Sequence, residues 1–333
     1  MTNDTTAPGP ALASPVGPGP SRALPFHRLA LATGYHSWWR PLAGTAMVLL
    51  GAVVLMSALF LGAEIVGRVA SRPLDSDGMA VWGDLGDTAL ALLSIALVTP
   101  VVLLAAYCAQ HRPPGTVSSV DGRLRGRRLA TCLGLALPLV LLMVAVQVLV
   151  PSPAGEGEDL VWAGTSTFLT GLATVWVLVP FQAAAEEYLF RGWLLQAVGA
   201  WCRSPWVAIA PQALLFAAVH GWGTAWGFAD LVVFGVVTGW LTMRTGGLEA
   251  AIALHVLNNL VGMSISAAFA GAFASQETAA DMDWVAMAID VPTVLLYATA
   301  VLWVTRRRER AEDAGGPGAS PAALTGGRRA GRH

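Results

Sequence analysis

Eight largely apolar runs, each close to the length that crosses a bilayer, constrain this chain more than any other feature. They lie at residues 43–66, 88–109, 129–150, 165–186, 205–221, 228–244, 248–270 and 286–305. A hydrocarbon layer of about 30 Å is crossed by roughly 20 helical residues, so each run reads as a spanning helix. The expected fold is all-α: a polytopic membrane bundle of about eight transmembrane helices. Composition agrees, with 55% of residues hydrophobic and only 12% charged, against about 25% charged in an ordinary soluble domain. No soluble catalytic domain and no repeat of 20 to 50 residues stands out.

Arginine placement orients the stack, because basic residues gather on the cytoplasmic side. With both termini cytoplasmic, seventeen arginines fall inside, including Arg112, Arg123, Arg125, Arg127, Arg128, Arg203, Arg244 and the seven from Arg306 onward, and only Arg68 and Arg72 fall outside. The outer loops are acidic, with Asp75, Asp77, Asp84 and Asp87, then Glu156, Glu158 and Asp159, then Glu277, Asp281 and Asp283. The expectation is an integral protein of the cell (cytoplasmic) membrane, N-in and C-in. Residues 1–40 read as a disordered N-terminal cytoplasmic segment, 41–305 as the bundle, and 306–333 as a basic, disordered cytoplasmic tail. The net charge of −1 gives no reason to expect nucleic acid. Membrane lipid and a membrane-associated protein or peptide are the expected partners. Cys108, Cys132 and Cys202 form no CxxC pair and are assigned no role.

Three polar clusters interrupt the apolar background, and ionisable groups at membrane depth cost a few kcal/mol or more each. The first is Glu186-Glu187 with Arg191. On a helix, Glu187 and Arg191 share a face in the order that favours an ion pair, whereas Glu186 points about 100° away. One carboxylate is neutralised and the other left free, which suits a general base; taken alone, the cluster equally fits an interfacial pair closing the fourth helix. The second is His220, which ends the fifth run before a Gly- and Trp-rich loop. By itself it fits a helix cap, and Phe216, one turn earlier, a packing residue. The third is His255 with Asn259, four residues apart on one face, able to donate into one pocket or to glue two helices. Pro180 reads as an ordinary kink, and Gly235 with Gly239 as a chance GxxxG in a chain of 36 glycines.

The order Glu-Glu-x-x-x-Arg, Phe-x-x-x-His, His-x-x-x-Asn on successive apolar segments resembles the CAAX prenyl protease and bacteriocin-processing (CPBP, or Abi) family of intramembrane endopeptidases, over roughly residues 165–270. The resemblance implies that Glu186 activates the attacking water and His220 assists it. It further implies that His255 and Asn259 stabilise the oxyanion, with Glu187 and Arg191 as support. A buried site of this kind must admit water and an unfolded segment, so a cavity open to the cytoplasm is expected.

No cofactor is the preferred expectation. Glu186, His220 and His255 are nevertheless an acceptable Zn2+ ligand set, two imidazoles and a carboxylate with a fourth place for water, although HExxH is absent and zinc would consume the obvious base. Two other functions remain open for the same residues: a proton- or ion-coupled transporter, and a catalytically silent immunity or scaffold protein of the same fold. Helical rise makes the depths awkward. If the fourth and fifth runs turn near Arg203, Glu186 and His220 lie roughly 25 Å from that turn, while His255 is only about 12 Å beyond Gly247. They meet if residues 188–203 are partly unwound, tilted or flat on the membrane, and if the fifth helix starts shallow or is short.

Overall fold

The computed structural model of the protein describes residues 24–150, 161–275 and 277–314. Glu156, Glu158 and Asp159, most of the expected N-terminal segment and the tail beyond 314 lie outside the described residues. The described chain forms α1 (Arg40–Val69), α2 (Asp84–Ala96), α3 (Val98–Cys108), α4 (Gly126–Leu149) and α5 (Thr165–Glu187), then a π-helix (Tyr188–Leu194) that runs into α6 (Leu195–Trp201). α7 (Pro205–Val219), α8 (Ala225–Thr245), α9 (Glu249–Ser266) and α10 (Trp284–Ala314) complete it. This is a helical membrane bundle. All eight apolar runs reappear as helix, but among the described residues six stretches are long and apolar enough to span, not eight. α7 is a 15-residue helix, and α9 carries Glu249, His255, Asn258 and Asn259 along its 18 residues, which lowers its hydropathy.

α7 is short, as the meeting of the site residues requires: at about 1.5 Å per residue it is only about 22 Å long, with His220 as its C-cap. Unwinding is not needed: residues 188–201 stay helical, through the wide π-turn and α6.

At the arginine-bearing end, α9 is clamped where it begins. Arg125 grips Glu249 with both guanidinium edges, Nε to Oε1 at 2.8 Å and Nη2 to Oε2 at 2.6 Å, and its backbone N–H also donates to Oε1 at 2.8 Å. Glu249 is fully buried, so a bidentate, charge-assisted bond is what makes its burial tolerable. The same loop clips the α8–α9 turn, with Val120 N–H on Gly246 O and Leu248 N–H on Ser118 O, both at 2.9 Å. Gly246 ends α8 in the left-handed region at φ 68°, a conformation that favours glycine.

α8 and α7 approach closely, and here the chance reading of Gly235 and Gly239 is corrected. A Cβ on Gly235 would stand 2.8 Å from Ala213 Cα, and one on Gly239 would stand 2.6 Å from Gln212 Nε2. Gln212 uses the gap to donate to Gly235 O at 2.8 Å. In a bilayer, where apolar burial gives helices little reason to associate, such small-residue contact is what brings backbones together.

Two stretches expected to be disordered contain helix among the described residues. Phe26–Leu31 forms a 3-10 helix whose Phe26, His27, Leu29 and Ala30 are buried. Phe26 and Leu29 join an apolar cluster with Leu195, Ala208, Ile209 and Leu248, and that burial outweighs the low apolar content of the preceding residues. α10 continues through Arg306–Arg308 to Ala314, held where Arg308 donates to Thr131 Oγ1 at 2.9 Å and Arg307 stacks 3.6 Å over Trp303.

Two outcomes test this packing. Gly235→Ala meets backbone, whereas Gly239→Ala meets the movable end of a side chain. Thermal unfolding in detergent should therefore show a loss of about 1–3 kcal/mol for Gly235→Ala and a smaller one for Gly239→Ala. His27 donates from Nε2 to Arg203 O at 3.1 Å, and its Nδ1 is buried without a partner. Burial, aided by the Arg28 charge and opposed by the Arg203 bond, holds its pKa below the ordinary 6.5. The fold then binds fewer protons here than the unfolded chain does, so this contribution is present above about pH 6.5 and is lost as pH falls. The hydrogen-exchange protection of residues 26–31, relative to the unstructured chain at each pH, should fall on acidification in the native protein, and fall less in His27→Gln.

Candidate active site

The last turn of α5 presents Glu186 and Glu187 in different directions, and the structure divides their duties as the helical geometry requires. Glu187, fully buried, accepts at Oε1 from Arg191 Nη1 at 2.9 Å and from His255 Nδ1 at 2.7 Å. Arg191, also fully buried, lies with its guanidinium carbon 4.0 Å over the Phe216 ring and 5.5 Å over Phe234. Phe216 is thus more than packing: its π face meets the cation on which the cluster depends. It also sits edge-on to His255 with ring centres 5.7 Å apart, as Phe234 does at 5.5 Å.

Glu186 is held differently. Gln182, one turn earlier, donates from Nε2 to Glu186 Oε1 at 2.5 Å, and Asn259 Nδ2 donates to Gln182 Oε1 at 3.3 Å. The other oxygen, Oε2, is sealed from solvent and has no hydrogen-bond partner. It faces His220 Nε2 at 3.8 Å and His255 Nε2 at 3.7 Å. Those gaps are too long for direct hydrogen bonds.

Proton bookkeeping sharpens this. His220 Nδ1 lies 2.8 Å from Phe216 O, a carbonyl that can only accept, so the hydrogen is on Nδ1 and Nε2 offers a lone pair when the ring is neutral. His255 likewise has Nδ1 on a carboxylate and carries hydrogen at Nε2 only as the imidazolium. The two buried carboxylates and one guanidinium sum to a single negative charge, which an imidazolium at His255 would cancel.

All six residues expected from the motifs, Glu186, Glu187, Arg191, His220, His255 and Asn259, are therefore joined in one contact network. Asn259 joins through Gln182 rather than directly. Gln182 was not expected, although a glutamine one helical turn before a glutamate in an apolar run is a legible sign. The residues of the cluster differ in how far they meet solvent. His255 is 4% exposed at its side chain and Glu186 11%, while His220 is 20% exposed. The more open side is thus that of the α7 C-cap, because α7 stops short and a Gly-rich loop follows. Among the described residues, no group of three or more His, Cys, Asp or Glu is spaced to hold a metal ion.

Comparison with known proteins bears out the resemblance. Residues 166–261 match the family model described as "Type II CAAX prenyl endopeptidase Rce1-like", and this stretch contains all three motifs. The chain is 29% identical to the uncharacterised protein YyaK of Bacillus subtilis (strain 168) over 222 residues, 64% of this chain and 73% of that protein. It is 31% identical to an uncharacterised 24.3 kDa protein of Escherichia coli over 94 residues, 28% of this chain and 42% of that one. No solved structure matches.

The Glu187–Arg191 pair is a support whose removal on one side should be costly. Arg191→Leu leaves a buried carboxylate short of its counter-charge and should destabilise by about 3–5 kcal/mol. Adding Glu187→Gln should restore part of that loss, a non-additivity that denaturant unfolding of the single and double variants measures.

Proposed function

We propose that this membrane protein, CAAX-protease-like through its Rce1-like segment, is an endopeptidase that hydrolyses a peptide bond of a membrane-associated protein or peptide. The observation that carries the reading is the unpartnered Oε2 of Glu186, enclosed by two imidazole Nε2 atoms at 3.7 and 3.8 Å. A water placed there gives one proton towards Glu186 and the other towards the His220 lone pair, leaving its own lone pair for a substrate carbonyl. Attack moves a proton to Glu186 and charge to the carbonyl oxygen. His255, as the imidazolium balanced by Glu187, and the second amide hydrogen of Asn259 then serve as donors to that oxyanion. Glu186 returns its proton to the leaving nitrogen, and the C–N bond breaks. Gln182 fixes which Glu186 oxygen stays free.

A second reading has Zn2+ held by Glu186, His220 and His255, each imidazole oriented by an acceptor on its Nδ1 as metal-binding histidines are, although the three are not spaced as a ligand set in this structure. Such an ion would supply Lewis-acid activation of water. The arginine asymmetry supports an orientation in the cell membrane with both described ends of the bundle on the cytoplasmic side.

Proteomics of membrane fractions from cells carrying the intact protein or Glu186→Gln tests activity and reveals substrates together. New peptide termini should appear with the intact protein only. In proteoliposomes with a substrate so found, Glu186→Gln and His220→Ala should lower cleavage by about 10²-fold or more, and Gln182→Leu by about tenfold. Loss on chelation with recovery on Zn2+ selects the metal reading. Proton flux that depends on Glu186 without any cleavage would replace the protease with a transporter.

A further inference from the structure

Asp230 and Asp290 have no part in the chemistry above and stand within the apolar body of the bundle, each only 5% exposed. Asp230 lies near the start of α8 and Asp290 near the start of α10, one to two turns inside the end of the bundle opposite the Arg125–Glu249 clamp. These helices pack along each other, which makes the two carboxyl groups neighbours. Two carboxylates this close cannot both carry charge unless something positive stands between them. Oδ1 of Asp230 is sealed from solvent and has no hydrogen-bond partner, a buried acceptor that destabilises the fold while nothing takes it.

Asp290 borders a cavity of about 420 Å³ that Gln147 and Asn258 also line. This cavity shares Gln147 and Met282 with a second one of about 380 Å³, whose wall carries Glu277, Asp281 and Asp283. An acidic mouth leading to carboxylate and amide oxygens concentrates cations, and hard oxygen donors suit a proton or an alkaline-earth ion. The ionisable groups towards this end of the surrounding elements are Glu277, Asp281 and Asp283 of the loop, His220 at the C-cap of α7 and His255 of α9, whereas Arg127, Arg128 and Cys132 of α4, Arg244 of α8, Glu249 of α9, and Tyr297 and the residues from Arg306 onward of α10 lie further towards the clamp end. α4 lines this cavity with Met143, Val144 and Val148 beside the neutral Gln147.

We propose that Asp230 and Asp290 form a binding site for one small cation, loaded through the acidic mouth. The shared chemistry is one cation between two carboxylates, with a proton or a hard metal ion such as Ca2+ as its source. The site does not rest on the protease reading, but it neighbours that centre. Phe234, one turn beyond Asp230 on α8, sits edge-on to His255 at 5.5 Å, so a cation that draws α8 and α10 together also steadies that imidazole.

Thermal unfolding of the purified full-length protein in detergent tests the proposal. With a metal ion as occupant, calcium at about 1 mM raises Tm by about 2–4 °C in the native protein and leaves Asp290→Asn unmoved. With a proton as occupant, calcium has no effect. Raising the pH from about 6 to about 9 then removes the shared proton, leaves two like charges and lowers Tm in the native protein but not in Asp290→Asn. A second measurement needs no variant: dicyclohexylcarbodiimide, which attacks protonated carboxyl groups in apolar surroundings, should give an adduct at Asp230 or Asp290 by mass spectrometry, slowed by calcium or by alkaline pH. Equal responses of native protein and Asp290→Asn to both calcium and pH, or adducts at neither aspartate, overturn the proposal.

Discussion

A single carboxylate oxygen organises the centre of this protein. Oε1 of Glu187 receives Arg191 at 2.9 Å and His255 at 2.7 Å with no solvent at hand, and thereby ties the π-helix after α5 to the middle of α9. Such a bond is worth far more in a dry interior than at a surface, and breaking one side exposes the full desolvation penalty of the other. The Phe216 ring then closes over the guanidinium. Three segments distant in sequence are thereby held together.

What this frees is as informative as what it binds. Because Arg191 is engaged by Glu187, Glu186 has no cation of its own, and because Gln182 occupies Oε1, only Oε2 remains. The two imidazoles that face it are each turned by an acceptor at the far nitrogen, Phe216 O for His220 and Glu187 for His255. Neighbouring carboxylates, adjacent in sequence, thus differ through their surroundings: one is a structural anchor, and the other keeps the open oxygen that the proposed mechanism uses as its base.

The fold was legible where apolar length decides it. The eight runs appear as helix because the bilayer demands it, and the polar motif residues stood out because the background against which they lie is so apolar. The i, i+4 geometry correctly assigned Arg191 to Glu187 and not to Glu186. Other features depend on tertiary approach and were hidden. Gly235 and Gly239 looked like chance until Ala213 and Gln212 filled the space they leave. Phe26 and Leu29 sit in a sparse, Pro-rich region that looked unable to order, yet they complete a core formed by other segments. Asp290 lay inside an apolar run, where its meaning comes only from Asp230 on another helix.

The central claim is that Glu187 holds Arg191 and His255 so that Glu186 keeps one open oxygen between two imidazoles. A density map of the protein in lipid nanodiscs, at a resolution that shows ordered water, tests it most directly. The account predicts Arg191 on Glu187 and a solvent or ion peak bridging Glu186 Oε2 to the Nε2 atoms of His220 and His255. A map with Arg191 turned onto Glu186, or with Glu186 Oε2 packed against acyl chains and no bridging density, would contradict it.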